Sequence, residues 1–459
     1  MVQTISTLVV LGASGDLSSR LLLPALGQLL TLAPDRRLTL VGSSVEEWTD
    51  AQWRARVRDS FSTVRATGEA VRKLLAGTHY RQADVTSSSD LQRLIDACEG
   101  TPALYFAIPP AVAVEACKAI EKVTLPVGTV LALEKPFGTD ERSAHTLNAQ
   151  LATIVPERQI YRVDHFLGRS MVFNLLGLRF ANRIFEPVWS GQHIERVDIV
   201  YDEELGLEGR VGYYDHAGAL TDMIQNHLLQ VLAVVAMEPP STLGADDLHD
   251  AKSLVLRATR VWKGRSQASS RRARYTAGTV GGRTLLAYVD EPGVDPSRCT
   301  ETLAELTLEI NTWRWAQVPF TLRSGKALGS RRREIVVTFK RAPHTPTGLR
   351  GADTPTVLRI FLAPDQMSLE INVNNSVDPH RIERATMNVD LGPGQLLAYA
   401  EVLDGVLGGG PSLSVSGDAA EQCWRIVAPA LKSWKAGAVP LDDYAAGSAG
   451  PKGWSPVGA

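Results

Sequence analysis

The chain has 459 residues, of which 44% are hydrophobic and 21% charged, an ordinary make-up for a soluble globular protein of two or three domains. A net charge of −2 gives no electrostatic ground for binding nucleic acid or a membrane surface. The four cysteines (Cys98, Cys117, Cys299 and Cys423) form no CxxC pair, which argues against a zinc site and for reduced thiols.

The first residues, MVQTISTLVVLGASGDL, carry no basic n-region, so no signal peptide is expected and the cytoplasm is the default location. The apolar stretch from Leu21 to Pro34 is interrupted by Pro24 and Gly27. It also falls short of the roughly 20 residues that span a bilayer.

Taken in order, TLVVL at 7–11 predicts a buried strand, and GASGD then predicts a tight glycine turn leading into a helix. LTLVG at 38–42 predicts a second strand. A helical stretch over 46–75 follows, with Trp48, Trp53, Val57 and Phe61 at roughly helical spacing. ALYFAIPP at 103–110 and VLALEKPFG at 130–138 predict further strands, with a helix over 111–122 between them. This alternation predicts a doubly wound parallel sheet, an α/β Rossmann domain, over 1–163. Residues 164–459 read differently. Strands are expected at 197–201, 283–288, 302–311, 334–339, 356–361 and 367–373, and helices at 170–182, 215–237, 395–408 and 418–434. That half is expected to be an α+β domain with a large, mainly antiparallel sheet.

At the cofactor end, Gly12 and Gly15 let the backbone approach a pyrophosphate, and Ser14 adds a hydroxyl donor. The end of the second strand, VGSSVEEW, has no arginine for a 2′-phosphate. Ser43 and Ser44 suit either NAD or NADP there. Two readings of Glu46 stand: facing the site it would repel a phosphate, and otherwise it begins the next helix; Arg54 and Arg56 are the cations within reach of this end. The balance leans slightly to NAD or to dual use.

Three segments carry candidate chemistry. EKPFG puts Lys135 at the end of a parallel strand, where ligands bind. YRVDHFLGR, from 161, carries adjacent Asp164 and His165. The third segment, over 209–240, presents His227 beside Leu220, Met223 and Val231. By pattern alone, an apolar-faced histidine reads first as a core residue.

Together, GASGDL, EKPFG, DHFLG, NLLGLRFANRIFEPVW, DMIQNHLLQVLAVVAMEP, RSGKAL, WRIVAP and AGSAGP resemble the glucose-6-phosphate dehydrogenase family over nearly the whole chain. The resemblance implies a Rossmann domain followed by a large antiparallel-sheet domain. It implies anomeric oxidation of D-glucose 6-phosphate to the lactone, with His227 as general base, Asp164 as its carboxylate partner and Lys135 contacting both sugar and cofactor. The bond before Pro136 is a candidate cis peptide. The substrate set implied is His165 and Arg169 for the phosphate, Glu203 and Asp222 for sugar hydroxyls, and Lys326 and Arg331 lining the pocket. Arg332 and Arg333 are then expected to be solvated. The cofactor set implied is Gly12, Ser14, Gly15, Asp16, Leu17, Ser43, Ser44, Ala107, Pro109 and Lys135. The resemblance also implies a homodimer or homotetramer; no metal is expected.

The sequence departs from the family at four places. Phe166 stands where the family has tyrosine, Arg169 where it has lysine, Leu21 where it has lysine, and Val45 where it has the NADP-selecting arginine. These changes keep two alternatives open: a dehydrogenase of another hexopyranose, and a non-catalytic regulatory homologue.

Overall fold

The structure, a computed structural model, describes residues 5–168, 170–209, 211–351, 354–392, 394, 396–455 and 457–458, without the side chains of 170–172 and 413. The chain forms two compact units. One gathers 1–169, 240–253 and 394–422, and the other 170–239, 254–393 and 423–459. This differs from a single boundary at 163/164, because two later stretches return to the first unit.

In the first unit, β1 (Thr7–Leu11), β2 (Thr39–Ser44), β3 (His79–Gln82), β4 (Pro102–Phe106), β5 (Val130–Glu134) and β6 (Ile160–Val163) lie in the order β6-β5-β4-β1-β2-β3. All these pairs are parallel. The order reverses beside β1, the topological switch point where doubly wound sheets bind ligands. Every residue of β1 and β4 is buried, as expected of strands covered on both faces. The two-residue strand Ser414–Val415 adds antiparallel to β6, and the helix Ala398–Gly408 packs on α1 (Leu23–Leu32).

The helical stretch over 46–75 resolves into α2 (Asp50–Ser62) and α3 (Glu69–Gly77), parted by a turn at Gly68 (φ +112°). A capping box of Thr49 and Gln52 starts α2. Glu46 therefore lies outside that helix.

The second unit is built on an eleven-stranded sheet. Its central strand β7 (Ile194–Asp202) pairs parallel with Phe320–Gly325 and antiparallel with Arg332–Phe339. Outward from there, Val357–Leu362, Asp365–Asn374 and Arg381–Asp390 form an antiparallel meander on one side. Leu303–Ile310 and Ser270–Thr276 continue the sheet on the other. The sheet is thus mainly antiparallel, as the sequence predicts. The expected strand at 283–288 shortens to Arg283–Leu285, and Tyr288 turns into the core.

One long helical run, Val211–Ala236, crosses the second unit. It is apolar enough by length and composition to cross a membrane, yet 89% of its most apolar window is buried in the protein. Its C-terminal carbonyls, which have no partner within a helix, are capped by side chains. Arg179 donates to the oxygens of Val234, Val235 and Met237 (3.2, 3.0 and 2.9 Å). Trp189 and Trp315 donate through Nε1 to the oxygens of Val235 and Ala236, each at 2.8 Å.

Candidate active site

In the first unit, the glycine turn follows β1 directly. Gly12 has φ +87°, and a Cβ there would stand 2.3 Å from the Ala107 carbonyl oxygen, so only glycine fits. The Gly12 and Ala13 N–H groups donate to the Ser43 carbonyl (2.8 and 3.0 Å), tying the turn to β2. Helical backbone begins at Asp16 and Leu17 and passes through a wide π turn, Ser18–Leu22, into α1. Asp16 is exposed and paired with Arg20 at 3.2 Å. Pro109 opens the helix Pro110–Ile120 at the end of β4. A tight glycine turn at the switch strand, feeding a helix N-terminus, fits a dinucleotide pyrophosphate.

At the end of β2, the side chains of Ser43 and Ser44 are buried, and Ser44 Oγ lies 2.6 Å from the Tyr80 hydroxyl. Glu46 is an exposed polar group beside the turn. Its carboxylate accepts a 2.8 Å bond from Ser14 Oγ. Hydrogen bonds from Ser44 and Ser14 hold this carboxyl below its usual range. Arg54 donates to the Leu75 carbonyl at 2.9 Å, away from the turn. Arg56 does reach back, but to the carbonyls of Ser14 and Gly15 (2.7 and 3.1 Å). Val45 and Leu21 are exposed and offer no cation.

Lys135 follows β5, and its bond to Pro136 is cis. The preceding Glu134 accepts a 2.5 Å bond from the Tyr105 hydroxyl and a second from Tyr399. Its carboxyl is shielded although the residue is only partly buried, and this burial pushes it up to about 7. The Tyr399 ring stacks on His165, with centroids 5.3 Å apart and planes at 14°. Asp164 is buried and accepts the Phe166 N–H at 2.9 Å. Phe166 is itself buried, edge-on to His165 at 5.1 Å. Gly168 lets the backbone of this segment approach Ala398, whose oxygen lies 2.4 Å from a Cβ built at Gly168. Arg169 lies outside the described residues.

In the second unit, Glu203 follows the end of β7. It receives Lys326 Nζ at 2.9 Å and an Arg333 guanidinium nitrogen at 3.3 Å, and all three side chains are largely buried. The parallel register puts Gly325 beside Asp202, so Lys326 and Glu203 leave the sheet together. Arg333 also lies 4.6 Å from the Tyr201 ring centroid. Arg331, expected to line the pocket, is half exposed and 3.6 Å from Glu204. Arg332 is paired with Glu334 and donates to the Val457 carbonyl. The expectation that Arg332 and Arg333 are solvated is therefore corrected: both are partly buried ion-pair members.

Asp222 and His227 share the segment Leu220–Leu228, which is wound as a π-helix, and His227 is 1% exposed. Pattern reading overlooked several groups here. Arg333 had a signal in the basic run, since alternation along a strand puts 331 and 333 on the same side. Tyr105 and Tyr399 had none, because nothing local links them to Glu134.

A doubly wound sheet with a glycine turn at its switch strand, in one chain with an α+β unit bearing a polar cluster, is the plan of an NAD(P)-dependent dehydrogenase acting on CH–OH. Residues 9–174 match the NAD binding domain, and 176–457 the C-terminal domain, described for glucose-6-phosphate dehydrogenase. The glucose-6-phosphate 1-dehydrogenase of Gluconobacter oxydans (strain 621H) is 38% identical over 466 residues, covering 97% of this chain and 94% of its own. That of Zymomonas mobilis subsp. mobilis (strain ATCC 31821 / ZM4 / CP4) is 36% identical, covering 98% and 97%. The crystal structure of glucose-6-phosphate 1-dehydrogenase from Mycobacterium avium superposes with a TM-score of 0.86 at 32% identity, over 98% of this chain and 96% of that one. A glucose-6-phosphate dehydrogenase solved in complex with its substrate superposes with a TM-score of 0.87 at 26% identity, over 99% and 97%. The chain belongs to the glucose-6-phosphate dehydrogenase family.

Proposed function

We propose that this protein oxidises D-glucose 6-phosphate at C1 to the lactone and uses NAD in preference to NADP. The observation that carries the substrate reading is the full-length kinship with proteins so named, one of them solved with glucose 6-phosphate. In this reading His227 takes the proton of the C1 hydroxyl. Asp164 fixes its tautomer and stabilises the imidazolium as the proton arrives. Glu203 and Asp222 accept hydrogen bonds from sugar hydroxyls, and Lys326 and Arg331 line the pocket. His165 and Arg169 hold the phosphate, and Lys135 contacts sugar and cofactor. The nicotinamide, when bound, supplies the hydride acceptor.

Glu46 supports the cofactor reading. A carboxylate beside the glycine turn accepts ribose hydroxyls and repels a 2′-phosphate. Steady-state assays with glucose 6-phosphate and each cofactor test both parts. Higher kcat/KM with NAD is expected, and no reduction of either cofactor would sink the proposal.

A second reading, oxidation of another hexopyranose, draws on Phe166, whose buried ring has no hydroxyl for a phosphate oxygen, and on Leu21. It would prevail if glucose or a C6 analogue gave the higher kcat/KM. Assembly as a homodimer or homotetramer through the outer strands of the large sheet is also proposed; Met387 and Val389 are exposed on Arg381–Asp390, and Val377 in the turn before it. Light scattering would test it.

A further inference from the structure

The helical run bearing Asp222 and His227 does not begin as an ordinary helix. Gly218 breaks it with φ +68°, and its missing Cβ leaves a gap. Into that gap comes the carboxylate of Glu301, from the residues just before the strand Leu303–Ile310. A Cβ at Gly218 would stand 2.3 Å from Glu301 Oε1. That same oxygen accepts the Leu220 N–H at 2.9 Å, and the Glu301 backbone carbonyl accepts the Ala219 N–H at 3.1 Å. Glu301 is 7% exposed. Two consecutive donors that open the π segment Leu220–Leu228 are thus held by one residue from outside the helix.

The winding of that segment matters to the site. With 3.6 residues per turn, side chains five apart lie about 140° from each other around an α-helix. In a helix closed by i→i+5 bonds they share one face, much as residues four apart do in an α-helix. Asp222 and His227 are five apart, so the π winding is what brings them to one face.

We propose that Glu301 is a positioning residue: by holding the Leu220 N–H in the gap left by Gly218, it fixes the wide-turn register that puts Asp222 and His227 on one face of the segment. This rests on the roles proposed above for those two residues. The required property is reach, not charge, since one acceptor oxygen at the right distance suffices.

Glu301→Gln and Glu301→Asp in the full chain separate the two. The glutamine keeps the reach and loses the charge; the aspartate keeps the charge and is one methylene short. Kcat and KM for glucose 6-phosphate, the pH profile of kcat/KM, and the His227 ring titration by NMR are read for each. Glu301→Gln is expected to match wild type. Glu301→Asp is expected to lower kcat about tenfold or more, the effect of leaving one buried donor unpaired, with KM for the nicotinamide cofactor unchanged. Its His227 titration should move. Gly218→Ala, which displaces the carboxylate, should reproduce Glu301→Asp, and the double variant should lose no more than either single one. A folded Glu301→Asp with wild-type kcat, pH profile and His227 titration overturns the proposal, as does a Glu301→Gln that is impaired like the aspartate. If the wild type oxidises no hexose, the substrate reading fails and the NMR arm alone decides this one.

Discussion

Ser14, in the glycine turn, donates a 2.8 Å hydrogen bond to the carboxylate of Glu46, beyond the end of β2. The two residues are 32 apart in sequence and belong to different strand ends. Their bond fixes the position of a carboxylate beside the turn, and one guanidinium nitrogen of Arg56 donates to the carbonyls of Ser14 and Gly15 and to Ser19 Oγ.

Replacing Glu46 by arginine should therefore change cofactor choice. A guanidinium there offers a charge-assisted hydrogen bond to a 2′-phosphate, of order 1.5–3 kcal/mol. The NADP-to-NAD ratio of kcat/KM is expected to rise at least about tenfold. An unchanged ratio would remove Glu46 from the account of specificity.

His227→Asn tests the proposed base. The amide keeps the polarity and cannot accept the proton. A positioned general base contributes roughly 10²–10⁴ in rate, so kcat should fall by that order while KM for glucose 6-phosphate changes little. Retention of most activity would reassign His227 to the core, the reading its apolar neighbours first suggest.

The first unit was largely legible because strands buried on both faces and glycine turns leave local marks, as in TLVVL followed by GASGD. The return of Ser414–Val415 to β6 was not, since two residues cannot display a period. The site was legible where residues are contiguous, as in EKP and DH. It was not where partners come from far along the chain. Glu301 lies 81 residues from Leu220, and Tyr399 lies 234 from His165. The π winding left no trace either: the spacing of Leu220, Met223, His227 and Val231 suits an ordinary helix equally well.

Glu134 predicts a pH dependence of stability. Burial raises its carboxyl from 4.5 to about 7 in the folded protein. Between those values the folded state binds more protons at this group than the unfolded one, so the contribution of Glu134 to stability is most favourable below about 4.5 and declines as pH rises to about 7. Glu301 is pushed to the same range by burial, so the wild-type slope sums both groups. Glu134→Gln should remove its own share, gaining stability relative to wild type at pH 8 and not at pH 5. Denaturant unfolding at both pH values measures this; an equal offset at the two would contradict it.

Arg179 is fully buried, and its guanidinium caps three carbonyls at the end of the run that carries His227 while pairing with Glu186 at 3.1 Å. Arg179→Leu would leave those carbonyls and the Glu186 carboxylate without it. Glu186 keeps Arg314 at 3.0 Å and the Val235 carbonyl keeps Trp189, so the loss falls on the carbonyls of Val234 and Met237, at about 1–3 kcal/mol for each buried acceptor left unsatisfied. A fall in Tm of roughly 4 °C or more is expected. Lysine keeps the charge but cannot span three oxygens and a carboxylate with one ammonium, so Arg179→Lys should fall between. Trp189 and Trp315 cap the same helix end, so Arg179→Leu and Trp189→Phe should combine non-additively, because both loosen the same turn. Strict additivity would mean that each side chain holds only its own neighbour and that the helix end is not a single unit.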